Sequence, residues 1–151
     1  TFNCSDRIIQ AVLTAQALIE TLHKAQVETC VISFGSQTSV LKPFGTSPVK
    51  SMPLLKSLRD GGGTNDYFAV RYAHKLLLNR PEQRKIAFVI TDGMGRPELV
   101  RKQCIAGEHL GVTTIGIGIQ HNVRHVYPQA ITVNNAADLG AVSFKQIKVA
   151  V

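Results

Sequence analysis

Apolar positions along this chain follow two rhythms that alternate from one end to the other. Ile8, Val12, Ala15, Ile19 and Leu22 recur at helical spacing. Ser5 or Asp6 can cap the helix they predict. Val27 to Phe34 is a short β-branched run that ends at Gly35 and reads as a strand. Ser39 to Phe44 reads as a second strand, joined to the first by a tight connection. Pro43 cannot donate to a ladder and puts that strand on or near an edge. Residues 45–63 read as loop, with a short helical turn near Met52 to Leu58 and a glycine run at Gly61 to Gly63. A helix follows from about Asp66 to Asn79, with Val70, Ala73, Leu76 and Leu77 on one face, and Pro81 closes it.

The second half has longer apolar runs. Ile86-Ala87-Phe88-Val89-Ile90, within Lys85 to Thr91, is the continuous kind expected of a parallel strand covered on both faces. Pro97 suits the first turn of a helix that runs to about Leu110 and stops at Gly111. Val112 to Ile119 predicts another buried strand and Ala130 to Val133 a short last one. A final helix spans Ala136 to about Val149.

Strands alternating with helices in this way predict an α/β fold: a doubly wound, mostly parallel sheet with helices on both faces. A doubly wound sheet ordinarily begins with a strand, and that strand is usually central, whereas this chain opens on a helix. The expectation is a single domain over residues 1–151, N-terminally incomplete, with its first central strand missing.

Composition narrows the class. A chain of 151 residues with 44% hydrophobic content can bury a sizeable core without covalent staples. Cys4, Cys30 and Cys104 form neither a CxxC pair nor an even framework, which points to a reducing, cytoplasmic setting. Cys30, in a predicted strand, and Cys104, on the apolar face of a predicted helix, read as buried thiols. No run approaches the ~20 apolar residues of a membrane span, so no membrane partner is expected. The net charge of +7 favours acidic partners. Its basic residues, from Lys42 and Lys50 to Arg101 and Lys102, are dispersed, and the chain has no Trp. Nucleic acid is therefore the less favoured acidic partner and an acidic protein the more favoured one.

Two segments carry candidate chemistry. Thr64 follows the glycine run at the mouth of a predicted helix, and Asp92 ends the Lys85 to Thr91 strand. A hydroxyl and a carboxylate at the C-terminal edge of such a sheet are hard oxygen ligands of the kind Mg²⁺ takes. The glycines let the backbone approach closely there. Taken singly, each residue could instead be a cap of the element that follows it. His121 and His125, four apart, could rim the same edge; with no Glu beside His121 they do not form the zinc-protease pattern. Gly116-Ile117-Gly118 lies inside a strand and is not a dinucleotide loop. Ser33 and Ser36 lack a nucleophile elbow, and no catalytic residues are expected. His23, His74 and His109 lie on helices and read as surface or boundary residues.

The element order, Gly61-Gly62-Gly63-Thr64-Asn65, Thr91-Asp92-Gly93 and Val31-Ile32-Ser33-Phe34-Gly35 together resemble a von Willebrand factor A domain. The resemblance implies a metal-ion-dependent adhesion site built from three loops, with Thr64 supplying the second and Asp92 the third. Its first loop, Asp-x-Ser-x-Ser, is matched only by the degenerate Asn3-Cys4-Ser5-Asp6-Arg7, or else lies upstream of the chain. Mg²⁺, Mn²⁺ or Ca²⁺ would then bind weakly or not at all without that loop. The C-terminal third, from Ile115-Gly116-Ile117-Gly118-Ile119 through His121 to Tyr127, Ala130 to Val133 and Ala137-Asp138-Leu139, is similar to the A domain of a cobaltochelatase subunit. That similarity implies a non-catalytic protein-interaction module beside an ATPase ring and a larger catalytic subunit. The alternative is a metal-free scaffold or nucleic-acid-associated A domain that binds through its basic surface.

Overall fold

The computed structural model describes residues 4–58, 65–91 and 95–138. In chain order these form α1 (Cys4–Lys24), β1 (Val31–Phe34), β2 (Thr38–Lys42), α2 (Met52–Lys56), α3 (Asp66–Leu78), β3 (Lys85–Thr91), α4 (Pro97–His109), β4 (Val112–Ile119) and β5 (Gln129–Val133), with 3-10 turns at Pro48–Lys50 and Ala136–Asp138. β3, β4 and β5 pair in that order and run parallel. β1 and β2 form a separate antiparallel hairpin.

The side-chain alternation of β3 and β4 explains why both sheet faces are covered. Ile86, Phe88 and Ile90 of β3 point to the same face as Ile115, Ile117 and Ile119 of β4, and α1 seals that face through Leu18 and Leu22. The opposite face carries Val89 of β3 and is sealed by Val70 of α3, Val100 and Cys104 of α4, and the 123–127 segment. Burying each of the three β4 isoleucines contributes about 1.5–3 kcal/mol. On this second face β4 offers Gly116, because Tyr127 lies directly against the strand: a Cβ there would stand 2.5 Å from the ring. A run that reads as uniformly apolar thus divides into an isoleucine face for α1 and a glycine face for Tyr127.

The two sheets do not meet. Among the described residues β3 pairs only with β4, and β1 only with β2. A cavity of about 690 Å³ lies between them, bounded by α1, α3, β1 and β3.

Most predicted elements appear within a residue or two of their expected bounds, and five details differ. α1 begins at Cys4, so Ser5 and Asp6 lie inside its first turn and do not precede it. β1 begins only at Val31: the Val27 N–H closes onto Leu22 O at the end of α1, so Val27 belongs to the helix exit. Cys30, just before that strand, is half-buried. Lys42, expected among the dispersed surface charges, is 3% exposed, and its ammonium donates to Thr29 O at 2.5 Å and Pro43 O at 3.3 Å. β2 carries Pro43 just past its end and has no second neighbour among the described residues, as an edge strand should. The predicted helix from Ala136 begins as the 3-10 turn at Ala136–Asp138, and its remainder lies outside the described residues.

Candidate functional site

Thr64 and Asp92, the two residues expected to ligate a metal, lie outside the described residues. The chain on either side of them is described. β3 delivers Thr91, 7% exposed, to the C-terminal edge of the sheet, where it stands in register with Gly118 of β4. Asn65 precedes α3, and Asp66 is the first residue of that helix.

Asp66, at the start of α3, packs against the chain that leads into α4. Its carboxylate is 3% exposed. Oδ1 accepts the backbone N–H of Tyr67 at 2.9 Å and, at 3.4 Å, that of Arg96. The carboxylate lies so close over Gly95 that a Cβ at that position would stand 2.2 Å from Oδ2. The chain just past Thr64 therefore packs on the chain just past Asp92. Burial raises the Asp66 pKa above the ordinary carboxylate value, while the N–H groups of Arg96 and Tyr67 and the Arg96 charge oppose that rise. An acid in the first turn of a helix usually reads as an exposed partner of the helix dipole, so the residue type alone does not announce the burial of this one. Glycine at 95 was the available signal, since only a residue without Cβ leaves room for the carboxylate.

The segment after β4 folds over the same edge. A Cβ on Gly118 would stand 1.9 Å from His121 O, so the chain turns back tightly there. His121 and His125 are exposed, with ring centroids 6.2 Å apart in an edge-to-face arrangement, and Arg101 donates to His125 O at 3.4 Å. Among the described residues no group of three or more His, Cys, Asp or Glu is placed to hold a metal ion. Tyr127, fully buried beneath this segment, has a hydroxyl with no hydrogen-bond partner among the described residues. Burial first, and then the charge of Asp66, push its pKa well above the usual phenol value.

His74 departs from expectation. It is 2% exposed and sits in the α3–α4 interface, not at the surface. Nε2 lies 2.7 Å from Thr114 Oγ1, and Nδ1 lies 3.0 Å from Gln103 Nε2. The amide nitrogen of Gln103 can only donate, so Nδ1 accepts from it and Nε2–H donates to the threonine. Gly107 of α4 makes the space for the ring. Burial lowers the His74 pKa. Cys104, buried as expected beside this group, has its thiol pushed up to about 11 by burial.

The family pattern for the von Willebrand factor type A domain matches residues 3–94, and this match decides the family. The chain is a von Willebrand factor type A domain. A second pattern, the Cobalamin biosynthesis protein CobT VWA domain, matches residues 63–149, beginning in the glycine run before Thr64. The A-domain fold also appears in solved structures. BatB, a conserved hypothetical protein from Bacteroides thetaiotaomicron, aligns with a TM-score of 0.78 at 13% identity, over 95% of this chain and 87% of that one. An aerotolerance-related membrane protein from Bacteroides fragilis aligns with a TM-score of 0.73 at 14% identity, over 91% and 88%. A von Willebrand factor type A protein from Catenulispora acidiphila gives 0.69 at 17% identity over 93% of this chain, which spans 37% of that longer protein. At these identities the likeness is one of fold. No curated protein matches. Membership of the A-domain family supports a protein-interaction module.

Proposed function

We propose that this A domain is a metal-dependent recognition module whose binding surface is the C-terminal edge of the sheet. Thr64 supplies a neutral oxygen there and Asp92 a carboxylate. These are hard donors that suit Mg²⁺, with Mn²⁺ or Ca²⁺ as substitutes. A cation so held keeps water in its remaining positions, and a carboxylate from an acidic partner can replace one of those waters. The net charge of +7 steers such a partner toward the domain. The observation that carries this reading is the seating of the Asp66 carboxylate against Gly95 and Arg96, which packs the loop after Thr64 onto the loop after Asp92. Two ligands hold Mg²⁺ weakly, and a third donor loop is needed for tight binding.

The match of residues 63–149 to the CobT domain supports a place in a multisubunit, ATP-driven complex such as a cobaltochelatase, in which this domain docks subunits and performs no chemistry of its own. The reading puts the domain in the cytoplasm, beside an ATPase ring and a larger catalytic subunit. The test is binding of the full-length gene product to the ATPase ring of a cobaltochelatase in millimolar MgCl₂. EDTA and Asp92→Ala should each abolish it, and retention of affinity under both contradicts the metal mechanism. The same net charge of +7 supports a second reading, a metal-free scaffold that binds nucleic acid. That reading requires affinity that falls steeply with salt and ignores chelators.

A further inference from the structure

α3 and α4 lie side by side and run in the same direction, since Asp66 meets Arg96 at their first turns and His74 meets Gln103 and Gly107 further along. Those contacts mark the side that each helix turns to the other. One step further round, toward solvent, each helix carries a stripe of similar make-up. On α3 it is Phe68, Arg71, Lys75 and Leu78, at helical spacing; on α4 it is Leu99, Lys102 and, at the cap, Leu110. Every one of these side chains is exposed, Leu110 by 63%. Each stripe is apolar at its two ends and basic between them. Because the helices are parallel, Phe68 comes level with Leu99 and Leu78 with Leu110. The result is a groove with an apolar pair at each end, about 15 Å apart along the helices, and Arg71, Lys75 and Lys102 between.

No described carboxylate pairs with any of these three cations; the ion pair among the described residues is Arg80–Glu82. The acids of α4, Glu98 and Glu108, stand off the stripe by helical spacing, and Glu108 accepts from Gln129 beside it at 3.5 Å. Exposed apolar side chains scattered singly are ordinary on a surface. Here they are paired at both ends of a groove whose middle holds cations without acidic partners. Nucleic acid would engage the cations and leave the leucines at the far end unused. A guest helix uses both features. Laid along the groove, its residues at i and i+11 reach the two apolar ends, and carboxylates on its flanks reach Arg71 and Lys75 on one wall and Lys102 on the other. We propose that the outer groove between α3 and α4 docks an acidic amphipathic helix of a partner protein. The groove runs down the side of the domain, away from the edge where Thr91 ends β3, so this docking needs no metal.

The probe is a fluorescein-labelled synthetic helix of about sixteen residues, with leucine at i, i+4, i+7 and i+11, glutamate at the flanking positions and alanine elsewhere. It is titrated in EDTA into the 151-residue chain and followed by fluorescence anisotropy, and amide NMR of the labelled chain maps where it sits. The expected result is saturable binding that weakens as salt rises, with shifts along the outer sides of α3 and α4. Arg71→Glu combined with Lys102→Glu should weaken it by at least about tenfold, because like charges then face each other across the contact. Leu78→Ser combined with Leu110→Ser should weaken it by about tenfold. All four side chains are exposed, so urea midpoints should hardly move. Absence of saturable binding, undiminished binding in either double variant, or equal binding of a peptide with lysine in place of glutamate would each overturn the proposal. So would shifts confined to the sheet edge, or tighter binding of an oligodeoxythymidine to the same groove, which would assign it to nucleic acid. Chelator is present throughout, so the outcome is independent of the adhesion-site reading.

Discussion

Gly107→Ala probes the α3–α4 interface through a single added methyl group. The new Cβ would stand 2.6 Å from Cε1 of His74 and 2.9 Å from Nδ1. The ring cannot retreat freely, because Thr114 and Gln103 hold it from both nitrogens at 2.7 and 3.0 Å. Overpacking of this kind costs about 1–3 kcal/mol. Alanine in a helix interior returns about 0.8–1.0 kcal/mol relative to glycine. The net effect is a loss of up to about 2 kcal/mol, and each kcal/mol lowers the Tm of a domain this size by about 2–4 °C. The sign should reverse once the ring is gone: in a His74→Ala background the same substitution should stabilise by up to about 1 kcal/mol. Urea denaturation of the four proteins, compared at constant m, gives the coupling directly, and it should be about 1–3 kcal/mol. A coupling near zero, or a stabilising Gly107→Ala in the natural background, would refute the argument that glycine is there to seat His74.

The buried imidazole also predicts pH dependence. Burial lowers the folded-state pKa of His74, so the unfolded chain binds its proton first as pH falls. Stability should therefore be complete above about pH 6.5 and decline below it, by at most about 1.4 kcal/mol per pH unit, until the folded-state pKa is passed; His74→Gln should flatten that decline in urea midpoints. Tyr127→Phe removes a buried hydroxyl that has no partner among the described residues, so denaturation should show a change within about 0.5 kcal/mol or a gain, and a loss above about 1 kcal/mol would reveal a partner. Cys104, with its pKa raised to about 11, should resist iodoacetamide at neutral pH until the protein unfolds, as mass spectrometry of the alkylated peptides would show.

The strands were legible wherever burial on both faces left an unbroken apolar run. β3 and β4 begin and end where Lys85 to Thr91 and Val112 to Ile119 place them. Polar residues were harder to read. His74 and Lys42 look like surface groups on any hydropathy pattern, yet both are buried because partners distant in sequence accept or donate their hydrogen bonds: Thr114 and Gln103 for one, Thr29 for the other. Asp66 belongs with them, since its burial depends on a glycine in a loop some thirty residues away. Near the candidate site, the contact of Asp66 with Gly95 and Arg96 could not be read from the chain, because it joins residues about thirty positions apart.

The most direct test of the recognition-surface account is a Mn²⁺ titration of the isotopically labelled full-length gene product, followed by amide NMR. Paramagnetic broadening reports even weak occupancy and reports where it occurs. The account predicts that the amides of Thr64, Asp66, Asp92 and Gly95 broaden first, that excess Mg²⁺ reverses the effect, and that Asp92→Ala removes it. Broadening centred on His121 and His125, uniform broadening across the basic surface, or none at the 64–66 and 92–96 loops would contradict it.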